Sequence, residues 1–196
     1  SVALGNMEKG AVSYGTYASL TVISTESANS LFYTTVDFSG MNPTPAPFQP
    51  VPDLDSAGGF GSIPQFVVDP VSTRIFFSNS TGLWSAGFME GTLTRLVEAA
   101  VSPSLLVKAS TLYYTVGSEL HFGTIAADTG ALTEDEISPI SVPGSASTAL
   151  RCGPSDNHLY VFQQGSGIQR SLEPLDTLSD TTGFTTIALP PAKLAV

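Results

Sequence analysis

Short runs of β-branched and aromatic residues, bounded by Gly, Pro, Ser, Thr or Asn, recur along the chain, and no helical apolar period persists for a dozen residues. This pattern predicts strands with many tight turns and little helix. Four of the runs are alike: ANSLFYTT (28–35), STRIFFSN (72–79), STLYYTV (110–116) and DNHLYVFQ (156–163). Each is a small or polar lead-in, one aliphatic anchor, two mostly aromatic residues, then a polar or turn segment. The anchors are Leu31, Ile75, Leu112 and Leu159, at spacings of 44, 37 and 47. Another strand pattern and a turn precede each anchor: LTVISTESAN, FVVDPVST, LLVKAS and LRCGPSDN. After three of them comes a turn with Gly82, Gly117 or Gly165 and a further strand: LWSAGF, LHFGTI or IQRSLE. Glycine at those turns supplies the positive φ that tight hairpins need.

Three to four short antiparallel strands per unit of about 40 residues is the signature of a β-propeller blade. The expected fold is therefore all-β, a β-propeller with about four visible blades, closed by itself or forming an arc of a larger propeller. A tandem β-sandwich is the alternative. The whole chain, residues 1–196, reads as one domain with units at 18–64, 65–104, 105–147 and 148–190. In a four-bladed ring, residues 1–17 would supply an outer strand to the last blade. The Pro-rich stretch 42–64 is unlike the rest and reads as an extended insert between units. The strands LFYTT, IFFSN, LYYTV and LYVFQ, with turns at Glu90-Gly91 and Asp128-Thr129-Gly130, resemble YWTD-type propeller repeats of the low-density lipoprotein receptor kind. The family's Asp after Thr is missing in all four copies and its Trp is replaced throughout.

Composition narrows the setting. Hydrophobic residues make up 42% and charged residues 12%, a mix that suits a folded, turn-rich β protein rather than a disordered one. Seven Lys and Arg stand against seventeen Asp and Glu, a formal charge of −10, and the basic residues are scattered singly. Such a chain has no patch to neutralise phosphates, which excludes nucleic-acid binding, and an anionic membrane would repel it. No apolar run reaches the roughly 20 residues of a membrane helix, so membrane insertion is not expected. Cys152 stands alone, so there is no disulfide framework. The sequon Asn79-Ser80-Thr81, with low charge and abundant Ser and Thr, leans toward an extracellular or lumenal glycoprotein. Ser1 in place of Met implies a processed or excised piece, with any targeting segment outside the chain.

Candidate chemistry is sparse. ADTGA (127–131) resembles the catalytic loop of aspartic proteases, but those enzymes need two such aspartates, and turn geometry explains the single copy. His121 and His158 are the only histidines, too few for an all-imidazole zinc site, and each falls on or beside a strand. A Cys152–His158 nucleophilic pair lacks a third member. Asp53 and Asp55, in the Gly-containing segment DLDSAGG, are the better candidates for calcium; the run Glu134-Asp135-Glu136 is the weaker. Aromatic residues Phe48, Phe60 and Phe66 near the insert, and Trp84 beyond the sequon, are the candidate contact residues.

The expected function is thus a non-enzymatic extracellular or lumenal binding or assembly module, contacting a protein, a glycan or copies of itself. One alternative is a hydrolase or lyase using a propeller channel, with His121 and acidic residues at its mouth. Another is a purely structural subunit of a larger assembly.

Overall fold

A strand presents alternate side chains to opposite faces, so a run such as Leu-Tyr-Tyr stays buried throughout only if both faces are covered. The structure, a computed structural model, describes residues 10–14, 19–27, 30–37, 42, 44–47, 49–50, 66–69, 71–79, 81–87, 92–98, 105–143, 147–153, 155–163 and 167–187. These form four antiparallel sheets, each a meander in chain order, and none is closed into a barrel.

The first sheet holds β1 (Gly10–Tyr14), β2 (Ser19–Ser27), β3 (Ser30–Asp37), β4 (Thr44–Pro45) and β5 (Gln49–Pro50). The second holds β6 (Phe66–Asp69), β7 (Arg74–Asn79), β8 (Gly82–Gly87) and β9 (Leu93–Val97). The third holds β10 (Leu105–Lys108), β11 (Thr111–Val116), β12 (Glu119–Ile125), β13 (Leu132–Glu134) and β14 (Ile140–Ser141). The fourth holds β15 (Ser147–Cys152), β16 (His158–Gln163), β17 (Gly167–Pro174) and β18 (Phe184–Ile187). A single 3-10 turn, Leu175–Thr177, is the only helical element among the described residues.

The N-terminal residues depart from expectation. Residues 10–14 pair with β2, Val12 opposite Val22, and so extend the first sheet rather than the last. The start of the Pro-rich insert is not purely loop either, because β4 and β5 pair with β3. They stop at two residues each, as expected where prolines remove ladder donors. Between them the buried Thr34 hydroxyl on β3 donates to the Ala46 carbonyl at 2.5 Å.

Successive sheets stack through a repeated scheme. Phe76 and Leu83 of the second sheet meet Leu105, Leu112, Tyr114 and Ile125 of the third in one apolar cluster. Tyr113, Leu120 and Phe122 of the third meet Leu150, Leu159 and Val161 of the fourth in another. In β11 and β16 the anchor and the residue two beyond it therefore face the preceding sheet, and in β7 and β11 the residue after the anchor faces the next one. We call these the backward and forward faces. In β11 the four residues Leu112 to Thr115 are all buried, serving two cores at once. The first strands also meet in order, β1 against β6, β6 against β10 and β10 against β15. No strand of the fourth sheet packs comparably against the first among the described residues.

The turn entering each anchor strand repeats too. Thr73, Ser110 and Asn157, each two residues before its anchor, all have positive φ, at 52°, 58° and 57°. In the second sheet Asp69 supports this turn by accepting the Ser72 amide at 3.0 Å. Asn tolerates this backbone well, whereas β-branched Thr is strained in it.

Three substitutions test this packing and the turns that lead into it, all read by urea unfolding. Leu112→Ala, at a fully buried position, should cost about 2–5 kcal/mol, while Val71→Ala, on a side chain 63% exposed, should stay within about 0.5 kcal/mol of wild type. Thr73→Asn should gain about 1 kcal/mol by relieving the strained turn.

Candidate functional site

The forward face of the fourth sheet differs from its counterparts. The ladder puts Tyr160 opposite Arg170 and Phe162 opposite Ile168, with Ile187 of β18 opposite Ile168 in turn. Ala149 pairs with Phe162 on the other side. These side chains are all half-buried, and Leu172, two residues beyond Arg170, is 58% exposed. At equivalent positions of the second and third sheets Phe76 is 0% exposed and Tyr113 is 6% exposed, because the next sheet covers them. The result is a row of apolar side chains along one sheet face.

A polar clamp holds this face in shape. The Asp156 carboxylate accepts the Tyr160 hydroxyl at 2.7 Å, the Arg170 guanidinium at 3.3 Å and the His158 amide at 3.2 Å. The Tyr160 hydroxyl first, and the His158 amide and Arg170 after it, outweigh desolvation and hold this carboxyl below its ordinary value. The clamp thus fixes the ring of Tyr160 across the sheet.

His121 lies on the backward face of the third sheet, stacked on Tyr114 at 5.1 Å. Its Nδ1 lies 2.6 Å from Glu134 Oε1, and its Nε2, buried without a hydrogen-bond partner, lies 3.7 Å from Glu119 Oε2. Ser138 donates to the same Glu134 oxygen at 2.7 Å. The carboxylate thus takes up both the serine hydroxyl and the imidazole, so the histidine is not placed to withdraw the serine proton, as a nucleophilic triad requires. The two glutamates approach different ring nitrogens, which point away from each other and cannot share one cation. No group of three His, Cys, Asp or Glu suited to a metal occurs among the described residues. Burial pushes the hydroxyls of Tyr113 and Tyr114 up to about 12, so both stay protonated and neither supplies a phenolate near neutrality.

Cys152 and His158 do not form a pair. Lys108 Nζ donates to the Cys152 thiol at 3.0 Å and also to Asn157, while His158 Nδ1 donates to the Ser171 carbonyl at 2.8 Å. The Asp-Thr-Gly segment is the connection from β12 to β13, closed by the Ala126 amide on the Ala131 carbonyl at 2.9 Å. Gly130 there has φ +67°, and a Cβ on it would lie 2.1 Å from the buried side chain of Arg74. Arg74 itself donates to Ser85 at 2.7 Å and to the Thr92 hydroxyl and carbonyl at 3.1 and 2.9 Å. Nothing in the sequence pattern singled it out, because its partners lie on neighbouring strands and in a distant turn.

Among the expected contact residues, Phe66 is buried on β6 at 7% exposure and belongs to the core. Trp84 is half-buried on β8, with Nε1 donating to Thr81 at 3.1 Å and the Arg95 guanidinium 5.6 Å from the ring centre. A sugar stacking on that side of the ring would have to displace Arg95. Asn79 ends β7 opposite Gly82, at a hairpin tip. Phe48, Phe60, Asp53 and Asp55 lie outside the described residues. No helix is long and apolar enough to cross a membrane among the described residues.

No family model and no curated protein matches the chain. Solved structures do. The AfRom2 CNH domain aligns over 93% of this chain and 55% of its own, at 11% identity and a TM-score of 0.54. A Bacteroides uniformis protein assigned provisionally as a 6-phosphogluconolactonase aligns over 89% of this chain and 57% of its own, at 10% identity and 0.51. The chain therefore spans little more than half the length of either, and the likeness is one of fold alone.

Glu134 gives a pH test. Burial opposes its ionisation, but the His121 and Ser138 hydrogen bonds and the His121 charge outweigh this and hold the carboxyl below its ordinary 4.5. Its contribution is present above that value and lost as pH falls through the lower native one. Thermal melts of Glu134→Gln should therefore show a shallower fall in midpoint on acidification below 4.5 than wild type.

Proposed function

We infer that the chain is a sector of a β-propeller acting as a binding or assembly module. The observation that carries this reading is the covering of the third sheet on both faces. A tandem sandwich pairs sheets two by two and leaves each with one covered face. Here the third sheet shares one core with the second and another with the fourth, and the first strands meet in sequence. Radial repetition of four-stranded meanders about a channel accounts for both features. The reading rests on this packing, not on the YWTD resemblance, since neither described neighbour is presented as such a protein.

Assembly is supported by the fourth sheet, where Tyr160 and Ile168 are half-buried and Leu172 is 58% exposed although the counterparts Phe76 and Tyr113 are buried. An exposed apolar patch marks an interaction site. A catalytic role has less support, because Glu134 takes up both His121 Nδ1 and the Ser138 hydroxyl, which leaves no activated nucleophile in that cluster. We place the module in an extracellular or lumenal setting on the strength of the sequon at the β7–β8 hairpin tip, where a glycan would project from the turn.

Anilinonaphthalene sulfonate should bind the natively folded chain, and Ile168→Lys should reduce that fluorescence without altering far-ultraviolet circular dichroism. A folded wild type that binds no dye would refute the interaction-face reading. Mass spectrometry of the native glycoprotein should show a glycan increment on the peptide carrying Asn79; an unmodified peptide would remove the support for a secretory setting.

A further inference from the structure

We propose that Lys108 and Cys152 form an oxidation-sensitive pair: hydrogen peroxide joins them through a reversible nitrogen–sulfur bond that fastens the third sheet to the fourth.

Topology brings the pair together. Lys108 is the last residue of β10 and Cys152 the last of β15, the same place in two successive sheets. These first strands pack against each other, so their ends meet although 44 positions separate the two residues. At that place in the second sheet, Asp69 serves its own lead-in turn by accepting the Ser72 amide. Lys108 and Cys152 instead reach across the boundary between sheets, with Nζ 3.0 Å from Sγ. A relay holds the lysine there: it also donates to Asn157 Oδ1, and Asn157 Nδ2 donates to Asp176 at 3.1 Å. Lys108 and Cys152 are both half-buried, so a small oxidant has access to the sulfur.

The chemistry follows from what surrounds the sulfur. Peroxide oxidises the Cys152 thiol to a sulfenic acid and is itself reduced to water. A second thiol commonly captures a sulfenic acid, but this chain has a single cysteine. The nucleophile already in contact with the sulfur is the Lys108 amine. Its nitrogen attacks the sulfur, the N–S bond forms and the S–O bond breaks. The hydroxyl leaves as water with one proton from the ammonium, and a second proton passes to solvent. The product is a sulfenamide. Two equivalents of an external thiol reverse it, restoring Cys152 and Lys108 and leaving the reductant as its disulfide. While present, the link closes a loop that contains β11 to β14, and a crosslink of that kind restricts the unfolded chain.

The test treats the intact folded chain with hydrogen peroxide and maps its peptides by mass spectrometry without reduction. The expected product is a crosslinked pair of peptides carrying Lys108 and Cys152, lighter than the two free peptides together by two hydrogen atoms. Dithiothreitol should restore both free peptides. Oxidation should also raise the wild-type urea midpoint, and Lys108→Arg, which keeps the charge but not the amine, should abolish both the link and the rise. Cys152 recovered unmodified, or as sulfinic or sulfonic acid without a link, overturns the proposal. So does a crosslink from Cys152 to any other residue. A Lys108–Cys152 link that leaves the midpoint unchanged overturns its fastening role. Should Lys108→Arg fail to fold, the wild-type peptide map and midpoint decide alone.

Discussion

The packing of this molecule turns on one constraint: the anchor strands β7 and β11 bury side chains on both of their faces. Leu112 and Tyr114 go one way and Tyr113 the other, into two different apolar clusters. Fully burying a side chain of this size is worth about 1.5–3 kcal/mol, so a sheet that lost one neighbour would forfeit several such contributions at once. Each sheet is therefore incomplete alone, and stability is shared with the sheet before and the sheet after, as in other repeat architectures. The Tyr113–Phe122 stack, with centroids 5.7 Å apart, shows cross-strand pairing within a sheet serving the contact between sheets.

The polar residues follow from that packing. Arg74 is buried because its strand is covered on both faces, and hydroxyls of Ser85 and Thr92 with a carbonyl surround its guanidinium. Gly130 is glycine because the Arg74 side chain occupies the space a Cβ would need. The Asp-Thr-Gly segment thus owes its glycine to the fit between two sheets. The His121–Glu134–Ser138 cluster is likewise self-satisfying at its Nδ1 side, with the carboxylate at its centre. Around the fourth sheet, the same kind of clamp, Asp156 with Tyr160 and Arg170, supports a face that no later strand covers among the described residues.

Much of the architecture was legible in the residues. The alternation of LYYT, the lead-in turns and the glycines at Gly82 and Gly117 are local signals, and the hairpins β7–β8 and β11–β12 form where those signals lie. Less legible were the short pairings of β4 and β5 and the placement of residues 10–14. Both segments pair with a strand close by in the chain, but composition carries no trace of which edge of that strand is open. Phe66 shows the same limit from the other side: beside a loop-like insert it reads as available, yet it pairs opposite Phe77 in a covered strand.

The sequence by itself determined the all-β class, the repeated strand pattern and the net negative charge, because propensity, periodicity and charge are local or additive properties. Only the tertiary structure decided which face of each strand meets which sheet, where Arg74 finds its partners, and which apolar row is only half-buried. Those outcomes turn on contacts between residues on different strands, from Arg74 with Ser85, 11 positions on, to Arg74 with Gly130, 56 positions on. Alternation along one strand says that two faces exist; only the neighbouring sheets say what covers them.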